Sequence, residues 1–177
     1  MTNKSVISIL VVIVFLASVL LTACGSGTSP VSGSFAGRVD GSDAFISIVA
    51  HKNGKVTAYV CDGATISDWF KGDSNGSSID LTNASGAHLT ADLSADSTNG
   101  TFTPSGGSAL NFTTSPVTQP AGLFRGEETV DGVKYVDGWI FLPDGDVRGA
   151  RTGGGKITKA TWIDPTTDPW IDPEIDP

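Results

Sequence analysis

Gly72-Asp73-Ser74-Asn75-Gly76 fits the G-x-S-x-G formula, in which a serine hydroxyl serves as a nucleophile. Such a serine needs a base within hydrogen-bond reach, and the chain holds two histidines, His51 and His88. A nucleophile elbow also needs a strand, a sharp turn and a helix, and no helical stripe follows Ser74. The stretch therefore reads first as a turn, with Ser74 kept as the nucleophile of an alternative, hydrolytic reading. Cys61 ends an apolar run and reads as a small buried hydrophobe. A zinc site from Cys61, His51 and His88 is disfavoured, because a two-residue turn at Asn53-Gly54 puts His51 and Cys61 on opposite faces. Asp40, Asp43, Asp144 and Asp146 are turn acids without the spacing of an EF-hand. Thr152-Gly153-Gly154-Gly155-Lys156-Ile157 lacks the first glycine of a P-loop and the hydroxyl residue after its lysine. The residues thus nominate no catalytic group, no metal and no cofactor.

Composition narrows the partners. The 177 residues carry a formal net charge of −8, and only 17% are charged, below the usual quarter. No basic patch is available to neutralise phosphates, so nucleic acid is excluded as a partner. Apolar residues concentrate at the N-terminus, where Lys4 is the sole charge before Arg38. Val6 to Leu21 is apolar except for Ser8 and Ser18, which is short for a spanning helix but fits the apolar region of an export signal.

That segment ends in Leu21-Thr22-Ala23-Cys24, which resembles the lipobox of bacterial lipoproteins. The resemblance covers residues 1–24. It implies that the Cys24 thiol receives a diacylglycerol group and that cleavage falls before Cys24. The partner is then a bacterial membrane, reached through lipid on Cys24, and the body is extracytoplasmic. Gly25, rather than Asp, does not favour inner-membrane retention in a Gram-negative host. One acyl chain binds a membrane marginally and two or more hold firmly, at ~0.8 kcal/mol per buried CH₂. Cleavage would leave 154 of the 177 residues and remove Lys4, so the net charge would move from −8 to −9.

The expected organisation is a signal over 1–23, a flexible tether over 24–33, a β domain over 34–162 and an acidic Asp-Pro tail over 163–177. The tether (Gly25-Ser-Gly-Thr-Ser-Pro-Val-Ser-Gly33) is small and uncharged. The body alternates strand-like runs with Asn-Gly at 53–54, 75–76 and 99–100 and Asp-Gly at 40–41, 62–63, 131–132 and 144–145. Both dipeptides favour tight turns. The expected fold is all-β: an antiparallel meander of about eight to eleven strands forming a closed or nearly closed barrel, with a β-sandwich as the alternative.

A two-residue turn at Asn53-Gly54 pairs Ile48 with Tyr59 and Ile46 with Cys61, and leaves both faces largely apolar. That pattern suits a barrel wall with an apolar lumen and an outer contact. Ile46, Ile48 and Tyr59 become candidate ligand-binding residues of a carrier. A two-residue turn at Asp131-Gly132 puts Phe124 opposite Trp139, Leu123 opposite Ile140 and Glu128 opposite Tyr135. Alternation places Ala87, Leu89, Ala91 and Leu93 inside, with His88, Thr90 and Asp92 outside.

Ala58-Tyr59-Val60-Cys61-Asp62-Gly63, followed by Trp69-Phe70-x-Gly72, resembles a pattern in uncharacterised exported bacterial β domains, and that resemblance carries no activity. Asp-Pro recurs at 164, 168, 172 and 176, which predicts an extended, polyproline-like tail rather than a further strand. The tail reads first as a disordered terminus; Trp162, Ile163, Trp170 and Ile171 punctuate it, so docking of Trp170 on the domain or on a partner is the sharper alternative. The favoured function is a lipid-anchored cell-envelope binding or interaction module without enzymatic activity. The alternatives are a carrier of a small apolar ligand and a serine hydrolase.

Overall fold

The computed structural model describes residues 30–167; the lipobox, Cys24 and Trp170 lie outside the described residues. The described chain is all-β, twelve antiparallel strands in two sheets with no helix. The first eight are β1 (Gly33–Val39), β2 (Phe45–Ala50), β3 (Lys55–Cys61), β4 (Ser67–Asp73), β5 (Ser78–Thr82), β6 (His88–Leu93), β7 (Thr98–Thr103) and β8 (Leu110–Val117). They run in the order β4-β3-β2-β1-β8-β7-β6-β5. Every sequential pair but one is hydrogen-bonded, and β1 pairs with β8. The result is an up-and-down barrel with one open seam, between β4 and β5.

Side chains bridge that seam. The Asp68 carboxylate accepts hydrogen bonds from Asn83 Nδ2 at 2.9 Å and Ser85 Oγ at 3.0 Å. Leu81 of β5 occupies the space that a Cβ on Gly72 of β4 would take. An eight-stranded barrel is just wide enough for side chains to fill. Here Ile46, Ile48, Phe70, Leu89, Phe102 and Phe112 form the centre of its core. Leu89 and Phe102 share one face as a cross-strand pair. The expected alternation over 87–93 is observed, with Leu89 and Leu93 buried and Asp92 exposed.

The remaining strands, β9 (Gly122–Val130), β10 (Val133–Phe141), β11 (Val147–Gly153) and β12 (Lys156–Lys159), form a second meander. Its inner face lays Leu123, Ile140 and Ala150 against Phe45, Val49, Tyr59 and Cys61 on the outside of the barrel. This second contact explains why every residue of β2 is buried. The chain's largest two-sided apolar run is a wall between two cores.

The two hairpins predicted in detail behave differently. At Asp131-Gly132 the observed pairs are Phe124 with Trp139, Leu123 with Ile140 and Glu128 with Tyr135, as expected. Asp131 and Gly132 both have positive φ, 50° and 78°, the requirement of a type I′ turn. At Asn53-Gly54 the register is one residue away from the expectation. Ile46 pairs with Val60, Ile48 with Ala58 and Ala50 with Val56. The loop has three residues, because His51 N–H donates to Lys55 O at 2.8 Å. Asn53 is spent on capping: its Oδ1 accepts the Lys55 N–H at 2.9 Å, and Gly54 (φ 82°) closes the loop. The shift turns Tyr59 and Cys61 out of the lumen.

Asn99-Gly100 is not a turn at all but lies within β7. A Cβ on Gly100 would meet the Thr90 carbonyl oxygen, and Ala91 Cα and Phe112 Cζ at 2.8 Å. The glycine is there for close strand approach.

Asp62-Gly63 starts the β3–β4 connection through its carboxylate. Asp62 Oδ1 accepts the amides of Ala64 at 2.8 Å, Thr65 at 2.7 Å and Ile66 at 2.8 Å, and Oδ2 accepts the Thr65 hydroxyl at 2.6 Å. Partial burial pushes the acid up, but these bonds outweigh it and hold its pKa below the ordinary aspartate value. A depressed folded pKa stabilises the protein above the unfolded value of about 4, and that contribution is lost as the pH falls through the lower folded value. We expect Asp62→Ala to cost about 1 kcal/mol at neutral pH, in the range of capping losses. Its unfolding midpoint should fall less steeply than wild type on acidification below pH ~4, which urea titrations at several pH values would read.

Candidate binding cleft

The barrel hands over to the second sheet through residues 118–121, which include a cis Gln119-Pro120 bond and a turn in which Ala121 N–H donates to Thr118 O at 3.0 Å. Opposite it stands the β10–β11 turn, Pro143-Asp144-Gly145. Proline presets φ, and Gly145 (φ 90°) donates its N–H to Leu142 O at 3.0 Å. Between the two turns lies an open cleft of about 590 Å³, floored by Phe141 and Leu142 and lined by Pro116, Pro120 and Pro143.

Its third wall is the segment after β12, which crosses the outward face of the second sheet as a strap. Ala160 N–H donates to Gly149 O at 3.1 Å, and Trp139 Nε1 donates to Thr161 O at 2.8 Å. Ile163 packs on the cluster of Phe124, Trp139 and Phe141, whose two phenyl rings meet edge to face at 5.2 Å. Gln119 Nε2 donates to Pro165 O at 3.3 Å. The first Asp-Pro of the expected tail therefore belongs to the packed body. Asp164 then closes a turn: its Oδ1 accepts the Thr166 amide at 2.9 Å and hydroxyl at 2.7 Å, and Thr167 N–H donates to Asp164 O at 3.2 Å. Trp162 stands at the rim, 68% exposed.

Among the described residues, no titratable side chain lines this cleft. The polar side chains of that lining are Thr118, Gln119 and the indole of Trp162, set among prolines and the Phe141 ring. Grooves lined by aromatic rings are the kind of surface on which proline-rich segments dock.

No protein family matches the chain, and neither a curated protein nor a solved structure does.

The residues singled out from the sequence lie elsewhere. Ser74 is in the β4–β5 turn, where its Oγ donates to Gly54 O at 3.2 Å. His51 is buried, and neither ring nitrogen has a hydrogen-bond partner among the described residues; His88 Nε2 is 2.7 Å from Asp80 Oδ1. Ser74 thus has no histidine on its hydroxyl. The corrected register puts His51 and Cys61 on the same outer face, at opposite ends of β2 and β3. No group of three metal-ligating side chains occurs among the described residues. Cys61 is a free, buried thiol whose pKa is pushed up by burial.

Asp144 and Asp146 face a cation of the chain itself, with Arg38 Nη2 at 2.8 and 2.7 Å from their carboxylates. Asp43 lies near Arg148, Asp62 and Lys159 in a smaller groove of about 360 Å³, where Arg148 Nε donates to Asp43 O at 3.2 Å.

Of the carrier candidates, Ile46 and Ile48 point into the lumen and Tyr59 into the inter-sheet core. Each is 0% exposed, so none touches a space of water size. Trp162, Phe141 and the 116–121 connection were not singled out as a site. The available signals were the prolines at 116, 120 and 143 and the aromatic residues punctuating the tail.

Proposed function

We propose that this chain is a lipid-anchored extracytoplasmic protein, held to a bacterial membrane through Cys24, that serves as a cell-envelope interaction module with the proline-lined cleft as its contact surface. The observation that carries the anchor is Leu21-Thr22-Ala23-Cys24 at the end of a sixteen-residue stretch, Val6 to Leu21, that is apolar except for Ser8 and Ser18. Only Gly25 to Ser32 separate Cys24 from β1, a reach of about 30 Å when extended. The domain then works close to the bilayer. The cleft supports the interaction role because it combines exposed Trp162 with a concave apolar floor. The reading assigns no chemical step to Ser74.

Cys24→Ser tests the anchor. Wild type should partition into the detergent phase and carry a diacylglyceryl mass on Cys24, and the variant should lose that mass and leave the detergent phase. An unmodified Cys24 in wild type, with both proteins partitioning alike, would reject the reading.

A further inference from the structure

Trp162-Ile163-Asp164-Pro165 and Trp170-Ile171-Asp172-Pro173 are identical tetrapeptides, eight residues apart. The first copy shows what the motif does on this fold. Ile163 packs on the aromatic cluster, Asp164 closes a turn and the Pro165 carbonyl is held by Gln119. Both Trp162 and Pro165 line the cleft. The turn at 164–167 ends on Thr167, two residues past Pro165, and Trp170 is three residues further, a span of about 10 Å when extended.

We propose that the cleft is the seat of the second copy: Trp170 of the same chain enters it beside Trp162 and Phe141, so the C-terminal segment is a tethered occupant that a partner must displace. This rests on the cleft being a contact surface and is independent of the anchor.

Chemistry and arithmetic both favour the segment as occupant. Asp-Pro repeats bias the backbone toward polyproline II, which docks on aromatic-lined grooves with little ordering cost. A short flexible link gives an effective concentration in the millimolar range. A site with an intrinsic Kd of about 1 mM would therefore be substantially filled from within the chain. The same tetrapeptide offered by another copy at micromolar concentration would be outcompeted by about a thousandfold.

The test labels the full chain, in detergent micelles, with 5-fluorotryptophan and assigns the fluorine resonances by single Trp→Phe variants. Trp170 should resonate away from the free-indole position, and deleting residues 168–177 should shift Trp162. In the second arm, a synthetic peptide of residues 167–177 is titrated into the deleted chain. It should restore the Trp162 shift, and the same peptide carrying Trp170→Ala should bind about tenfold more weakly, as expected for an aromatic anchor. A free Trp170 resonance with an unmoved Trp162 overturns docking within the chain. If the peptide still binds in that case, the cleft remains a contact surface; if it does not, that reading falls as well. Shifts that grow with protein concentration overturn the proposal in favour of a second copy.

Discussion

Phe102→Ala should remove about 3–5 kcal/mol of folding stability, the range for truncating a buried phenylalanine. A domain of this size has about 5–15 kcal/mol in total, so the variant would stand near the limit of folding. Phe102 is fully buried in the lumen, and its ring meets that of Phe70 edge to face at 6.3 Å and 87°. The contact matters beyond its area, because Phe70 lies on β4 and Phe102 on β7, on opposite sides of the open seam. No backbone ladder joins β4 to β5, so packing through the lumen carries what hydrogen bonds carry elsewhere in the wall. The cavity left by truncation would sit where the barrel is least able to resist opening. Urea unfolding of the full chain in mild detergent reads the effect as a lower midpoint at unchanged slope. Phe102→Leu, which keeps most of the volume, should lose far less. A loss below about 1 kcal/mol for the alanine variant would contradict a packed lumen at this position.

The contrast between the two hairpins shows what local sequence conveys. At Asp131-Gly132 both residues take positive φ, the turn has its minimum length, and all the cross-strand pairs follow. At Asn53-Gly54 the same kind of dipeptide sits in a three-residue loop, Lys52 to Gly54, closed by His51 N–H on Lys55 O and by Asn53 Oδ1 accepting the Lys55 N–H. One extra residue inverts a face, so Tyr59 moved from the lumen to the inter-sheet core. Asn99-Gly100 failed for a different reason: its glycine answers to Thr90 and Phe112 on neighbouring strands, which no local window contains. The all-β class and the meander were legible because they depend on alternation and turn spacing. The β1–β8 closure, the division into eight and four strands and the cleft were not, since each depends on contacts between distant residues. The cleft brings together residues from 116 to 165, and only its prolines at 116, 120 and 143 and the strap's aromatic punctuation hinted at it.

Gly138→Ala should separate the fates of the two sheets. Gly138 lies in β10 on the face toward the barrel, and a Cβ there would sit 2.6 Å from Trp69 Cζ2, 2.6 Å from Tyr59 Cε1 and 2.7 Å from Tyr59 Cζ. Those two rings are stacked at 4.2 Å, and they have little freedom to retreat. Tyr59 is fully buried, and its hydroxyl is within 3.0 Å of Ser67 Oγ. Ser67 Oγ in turn accepts from Thr152 Oγ1 on β11 at 2.9 Å, and Arg125 of β9 covers the Trp69 ring. This part of the junction between barrel and second sheet therefore packs around Gly138. Over-packing of this kind costs about 1–3 kcal/mol, and valine at the same site should cost more. Because the strain is confined to the junction, amide exchange should accelerate in β9–β12 while the amides of β6 and β7 keep their protection. A uniform rise in exchange would mean that the two sheets unfold as one unit and would reject the local reading. The collision also predicts its own remedy. Tyr59→Leu shortens one of the two obstructing rings, so Gly138→Ala should cost less in that background than in wild type. A coupling of 0.5 kcal/mol or more in the double-mutant cycle is in the range expected of residues in contact. Additive losses would place the strain of Gly138→Ala somewhere other than the stacked pair.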